Sequence, residues 1–271
     1  MNDVQKEEFR ILQEFDRICQ KHKLQYSLAY GTLIGAIRHK GFIPWDDDID
    51  VIMHREHYDK FVRIVRQELT HDMIYVDHEQ EKKYYYGFAK IRSKNLNYPE
   101  KSTEYLGINQ GVWIDIFPFD AIGDVSLIES KKQFNAIKRI HNFFVLSVFT
   151  HPNNQDSGYK NVIRSVLYKI NNATQNITIL RSYMYKKMVK IGTKKNSDSA
   201  IRHNCIMANL SNKEFNGGVL TKEQLNNFVL REFEGVFFPV IKDYDAHLTG
   251  IYGDYLTLPE EQDRVSNHSI T

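Results

Sequence analysis

The sequence predicts an α+β fold with a helical second half. Three observations carry that reading. Short strand-like runs alternate with helix-period segments through the first 125 residues. Two longer helix-like segments, about 126–149 and 177–191, dominate the second half. The 271 residues are 42% hydrophobic and 26% charged, which suits a buried core and excludes a disordered or fibrous chain. At roughly 100–200 residues per domain, the length fits one large domain or two small ones. The division falls between a core at 1–125 and a mainly helical region at 126–271, whose terminal strands and helix complete the cleft.

Along the chain, Val4, Ile11, Leu12, Phe15, Ile18 and Cys19 fall near helical spacing, with Asn2 or Asp3 as the N-cap. Tyr26 to Tyr30 reads as a short strand ending at Gly31-Thr32, and Leu33 to His39 as one or two helical turns. Gly41 and Pro44 then break the chain. Asp48 to Met53 alternates acid and apolar residues, as a two-faced strand does. A helix over about 54–69 places Tyr58, Phe61, Val62 and Val65 on one side. Further strands are expected at Met73 to Asp77, Tyr84 to Arg92 and Val112 to Phe117. Near the end, Phe233 to Val240 reads as βα-like and precedes a helix that stops at Tyr252-Gly253.

Composition excludes several functions. Lys and Arg number 36 against 34 Asp and Glu, so the net charge of +2 argues against a nucleic-acid binder. Two cysteines, Cys19 and Cys205, supply neither a disulfide framework nor metal-binding spacing. The N-terminus is polar and unlike a signal peptide. The longest apolar run, Phe143 to Phe149, is seven residues with a serine inside, where a membrane span needs about 20. The expected location is the reducing cytosol or the inner face of the membrane.

The chemistry concentrates at Trp45-Asp46-Asp47-Asp48-Ile49-Asp50, where four carboxylates occupy five consecutive positions. On a strand, Asp48 and Asp50 share one face and Ile49 turns into the core. Carboxylates that close repel, so they share a proton or hold a cation. Oxygen-only ligands favour Mg²⁺ or Mn²⁺. Taken alone, the stretch reads equally as a solvated acidic turn, and Asp46 and Asp47 read as supporting or solvated acids. Its neighbours add weight. Gly31 and Thr32 lie between a strand and a helix start, where backbone amides can meet phosphate. Asp115 lies between Ile114 and Ile116 in an apolar strand, a costly place for an acid unless it is paired or coordinating.

Together, the glycine–hydroxyl turn, the acid strand and the lone strand Asp resemble the signature of the nucleotidyltransferase superfamily, a mixed β-sheet core flanked by helices. The fuller string from Tyr30 to Asp50 resembles the LicD family of phosphocholine transferases, which includes the fukutin-type sugar-phosphate transferases. Lys90-Ile91-Arg92, Trp113 to Asp120, Lys242 to Asp245, Tyr252 to Tyr255 and Leu258-Pro259 match as well, so the likeness spans about residues 20–265. Thr32 departs from the serine common in the wider superfamily.

The resemblance implies a metal-dependent transfer of phosphocholine from CDP-choline to a sugar hydroxyl of a cell-surface glycan precursor, of teichoic-acid or lipopolysaccharide type, with release of CMP. It implies Mg²⁺ or Mn²⁺ on Asp48, Asp50 and Asp115, with the general base left open. Gly31, Thr32, Arg38, Lys90 and Arg92 would face the diphosphate, although Arg38 reads also as a surface ion pair. Trp45, Tyr85 and Trp113, with Tyr84, Tyr86 and Tyr98, are candidates for holding choline by cation–π attraction, against plain core packing. A lipid-linked acceptor would suit peripheral contact with the inner membrane surface through the helix at 126–149, whose other reading is a core helix. The same metal core would also serve glycerol-phosphate, ribitol-phosphate or nucleotidyl transfer.

Overall fold

In the computed structural model the chain is organised around one long strand. The structure describes residues 1–84, 86–99, 107–122, 127–148, 176–196, 202–208 and 211–264, with single helical positions at 159, 162, 165, 166 and 169. The order is α1 (Asp3–Lys21), β1 (Ser27–Leu28), α2 (Tyr30–Arg38), β2 (Asp50–His54), α3 (Arg55–Glu68), β3 (Met73–Val76), β4 (Ala89–Asn97) and β5 (Gly111–Ala121). The second half contributes α4 (Leu127–Val148), α5 (Asn176–Gly192), β6 (Arg202–Asn204), α6 (Asn212–Gly217), β7 (Leu220–Thr221), β8 (Phe228–Phe233), β9 (Val236–Ile241) and α7 (Tyr244–Tyr252).

The main sheet runs β1-β2-β5-β4-β3, with β6 added to β5 and β7 to β6. Only β2 and β5 run parallel among these pairs. Every residue of β5 is buried. Its first half pairs with β4, its middle with β2 and its last two residues with β6. Through β6, residues beyond 126 complete the same sheet.

Helix α1 starts at a capping box in which Asn2 and Gln5 satisfy each other's backbone. Its stripe of Ile11, Leu12, Phe15 and Ile18 is fully buried, worth about 1.5–3 kcal/mol for each side chain. The Phe15 ring meets Phe61 of α3 edge-on at 5.1 Å and Tyr26 at 4.8 Å. Both cysteines are free and buried.

The α+β class is borne out, with local differences. The acid strand begins at Asp50, not Asp48, although Ile49 is fully buried as expected. The strand expected at 84–92 runs from 89 to 97, because the chain turns at 82–83, where the Tyr84 N–H donates to the Glu81 carbonyl, and bends at 87–88 before pairing begins. The βα-like stretch is instead an antiparallel hairpin, β8–β9. Glu234 and Gly235 make its two-residue turn with φ of 51° and 78°, the twist that suits a tight hairpin. The expected helix ends at 126 and 149, and the side chains of Phe143 to Phe149, lie outside the described residues. Among the described residues, no helix is long and apolar enough to cross a membrane.

Candidate active site

Three neighbouring strands set three charged side chains in one row. Asp50 on β2 stands opposite Asp115 on β5, and Asp115 opposite Lys90 on β4. Registered partners share a sheet face, so sequence alternation and strand pairing together bring residues 50, 90 and 115 side by side. The Lys90 ammonium lies 3.0 Å from Asp115 Oδ1. It also lies 4.2 Å from the centre of the Trp113 ring and 4.8 Å from that of Tyr86. Arg92 repeats the pattern one step along, opposite Trp113, with its guanidinium 5.0 Å from that ring.

The acid loop closes over this row. Asp46, Asp48, Asp50 and Asp115 all line one cleft of about 450 Å³. Gly31 lines it too, and a Cβ there would stand 2.6 Å from an Asp46 carboxylate oxygen, so a larger residue would push that carboxylate aside. Thr32 is buried and its hydroxyl accepts a 2.8 Å hydrogen bond from the Asp50 backbone N–H. Thr32 therefore fastens α2 to the start of β2 rather than lining the cleft. Asp47 turns inward and accepts a 2.6 Å hydrogen bond from the Tyr98 hydroxyl. From α1, the Gln5 amide donates to the Asp46 carbonyl at 2.9 Å.

Charge is unbalanced here. Burial raises the Asp50 carboxyl well above the usual range, and Asp48, Asp115 and Asp46 raise it further. Glu8 of α1 responds alike: burial, then Asp48, Asp47, Asp46 and Asp115, push its carboxyl well up. Glu8 is 1% exposed, and no described partner reaches its Oε2. Glu214 and Asp263 add two more acids to the cleft, and none of the described residues lining it is Lys or Arg. Such a lining repels a phosphate-bearing molecule. By donor chemistry the set fits a hard divalent ion. Among the described residues, however, no group of three or more His, Cys, Asp or Glu side chains is arranged to hold a metal ion as it stands.

The other expected residues divide. Trp45 lines the cleft. Trp113 and Tyr84 are enclosed, at 1% and 0% exposure, so neither is open to a choline headgroup. Tyr86 and Trp113 already frame Lys90. Lys90 and Arg92 are buried at 2% and 0% exposure and do not line the cleft. Arg38 donates to the carbonyls of Tyr255 at 2.7 Å and Thr257 at 3.4 Å, so it latches the C-terminal segment and does not line the cleft. Tyr85 lies outside the described residues. His203, which looks isolated in sequence, pairs with His54 at 3.3 Å.

Four residues escape the sequence reading: Glu8, Glu214, Tyr252 and Asp263. Glu8 had a signal, since positions 4, 8, 11, 15 and 18 form one helical stripe and the acid falls inside it. Tyr252 sits in a stretch already noted for its resemblance. Glu214 closes a Ser-x-x-Glu capping box with Ser211, a pattern that marks a helix start and not a cleft, and Asp263 has no local pattern; only the tertiary fold brings them in.

A mixed sheet with acids on adjacent central strands, beside a glycine–hydroxyl helix start, defines a domain of the nucleotidyltransferase type. The profile of the LicD/FKTN/FKRP nucleotidyltransferase domain matches residues 23–152. The lipopolysaccharide cholinephosphotransferase LicD of Haemophilus influenzae is 33% identical over 263 residues, covering 95% of this chain and 92% of that protein. The chain belongs to the LicD family. Shorter matches reach uncharacterised proteins of Rickettsia typhi, 34% identical over 25% of this chain and 24% of that protein, and Rickettsia prowazekii, 28% identical over 34% and 40%.

Proposed function

We propose that this protein transfers phosphocholine from CDP-choline to a sugar hydroxyl of a cell-surface glycan precursor, of lipopolysaccharide or teichoic-acid type, releasing CMP. The observation that carries this reading is the convergence of Asp46, Asp48, Asp50 and Asp115 on one cleft with no Lys or Arg among its described lining residues. The nearly full-length likeness to a cholinephosphotransferase supports the choice of headgroup. The acceptor would be lipid-linked, reached from the cytoplasm at the inner membrane face.

In the reaction, the acceptor oxygen bonds to the phosphorus that bears choline. The bond from that phosphorus to the bridging oxygen breaks, and CMP leaves with its electrons. Such transfer depends on positioning and charge neutralisation more than on covalent catalysis. Asp48, Asp50 and Asp115 would hold Mg²⁺ or Mn²⁺, which neutralises the diphosphate when bound. Lys90 fixes the orientation of Asp115 and offsets its charge. A carboxylate of the cleft would accept the acceptor's proton. Gly31 lets the Asp46 carboxylate pack against the start of α2.

Donor screening with CMP release as the readout tests the proposal. CDP-choline should be consumed with Mg²⁺, and neither CDP-glycerol, CDP-ribitol nor nucleoside triphosphates should match it. Asp48→Asn should lose turnover while keeping the fold. Turnover in excess chelator, or preference for an alditol donor, would overturn it.

A further inference from the structure

Charge is not spread evenly along this chain. Residues 127–196 hold 13 Lys and Arg against two Asp and Glu, a net of +11. The whole chain carries +2, so the remaining residues carry −9. The acid cleft draws all its acids from that negative remainder. Charge that separates this far along a chain points to an anionic partner for the basic part.

Helix α5 lies in the basic part and has two unlike faces. Arg181, Met188 and Gly192 form the buried face. A Cβ on Gly192 would stand 3.0 Å from the Met207 sulfur, so the helix seats on the residue next to Ala208, which lines the acid cleft. Ile179, Leu180 and Tyr183, then Lys186, Lys187 and Lys190, form the outer face, and all six are exposed. At 3.6 residues per turn they fall within about 120° of arc. Ile179 is 71% and Tyr183 62% exposed, and exposed Lys194 follows the helix end. Lys186 and Lys190 border a cavity that also holds Asp59, Asp77 and Glu79, which offset part of their charge; Lys187 and Lys194 do not border it. Exposed Lys131 and Lys132 of α4 stand near the same end, since Gln133 donates to the carbonyls of Ile191 at 3.0 Å and Gly192 at 3.1 Å. The described helical positions Tyr159, Val162 and Val166 recur at the spacing of one helix face and are likewise exposed.

Lysines alone would suit any polyanion. Exposed isoleucine and leucine beside them narrow the choice, because single-stranded nucleic acid is held by aromatic faces and not by aliphatic chains. A bilayer uses both kinds of side chain: ammonium groups meet anionic headgroups, and aliphatic and tyrosine side chains enter the boundary with the acyl chains. We propose that the outer face of α5 docks on a bilayer surface rich in anionic lipid. These residues are distinct from 143–149, the apolar run that sequence patterning singles out. The contact brings the wall of the acid cleft next to the lipid surface, through Met207 and Ala208. It goes beyond the phosphocholine reading and does not depend on it.

Flotation of the full chain with vesicles, without donor or acceptor, tests the proposal. Vesicles of phosphatidylcholine mixed with phosphatidylglycerol should capture the protein, and phosphatidylcholine alone should capture far less. Lys187→Gln combined with Lys194→Gln should weaken capture about thirty-fold. Ile179→Ser combined with Tyr183→Ser should weaken it about ten-fold. All four side chains are exposed, so both variants should melt as the wild type does. Equal capture by the two kinds of vesicle, or capture that neither variant weakens, would overturn the docking face. Tighter binding to polyuridylic RNA than to anionic vesicles would overturn it as well. So would self-association that Ile179→Ser with Tyr183→Ser abolishes while anionic vesicles capture nothing, which would give the face to a second copy of the chain. Each of these failures leaves the phosphocholine reading untouched, because no donor is present.

Discussion

Lys90 and Asp115 face each other across β4 and β5 with ammonium and carboxylate 3.0 Å apart, at 2% and 12% side-chain exposure. The pair is sealed on one side by Trp113 and opens on the other to the Asp50 carboxylate. Removing the lysine alone takes that offset away from Asp115 beside Asp50. Lys90→Met should therefore destabilise by about 3–5 kcal/mol, measured by urea denaturation. Lys90→Met with Asp115→Asn should recover much of that loss, because two contacting residues are not additive. Equal losses in the single and double variants would refute the pairing.

Asp50 is expected to trade stability for metal binding. Its carboxyl is costly to ionise because it is buried among Asp48, Asp115 and Asp46. Asp50→Asn keeps the shape and removes the repulsion. In buffer with chelator the variant should be more stable than wild type, by on the order of 1 kcal/mol. It should also lose turnover. Added Mg²⁺ should raise the melting temperature of the wild type and not of the variant, since only a folded site that binds the ion gains from it. A variant that melts lower in chelator would show that Asp50 is not held in repulsion.

Sequence patterning reads the row of acids well and the walls of the cleft poorly. Asp50 and Asp115 are legible because an acid inside an apolar strand is costly without a partner. Their register is not legible, since nothing local says that β2 lies parallel to β5. Arg38 misleads for a related reason: its spacing from Thr32 suggests a phosphate partner, but its guanidinium finds carbonyls more than 200 positions away. Lys90 and Arg92 share a face as alternation requires, yet burial keeps both out of the cleft lining. Glu214 and Tyr252 depend on the contact of Gly217 with Gly250, a packing event between helices that no periodicity encodes.

Two buried histidines should set an acid limit on stability. His141 and His247 are buried, and burial pushes each down to about 4. Neither ring nitrogen of His247 has a hydrogen-bond partner among the described residues. In the unfolded chain these rings titrate near about 6.5. Between those values the unfolded state binds more protons, so stability falls as pH drops from about 6.5 toward 4. Each ring contributes at most roughly 3 kcal/mol to that fall. Melting temperature measured from pH 8 to 4.5 should show it. His247→Leu should flatten the slope and change little at pH 8, because it also removes two unsatisfied nitrogens. An unchanged slope in His247→Leu would rule out this origin.

Helix α1 braces the acid loop, and the charge it carries there can be separated from the brace. Glu8 lies on α1, ahead of the segment that the family profile covers, and yet its carboxyl answers to Asp46, Asp47, Asp48 and Asp115. A glutamate whose folded value is raised loses stability as pH climbs past its unfolded value, near 4.3. Glu8→Gln keeps the length and the polar end while removing the charge. It should raise the melting temperature at pH 8, and the gain should fade as pH drops below about 4.3, where wild-type Glu8 becomes protonated in both states. Turnover should persist, since Gln5 still holds the Asp46 carbonyl. A variant that melts lower at pH 8, or that loses turnover with its fold intact, would mean that the Glu8 charge serves the loop rather than straining it.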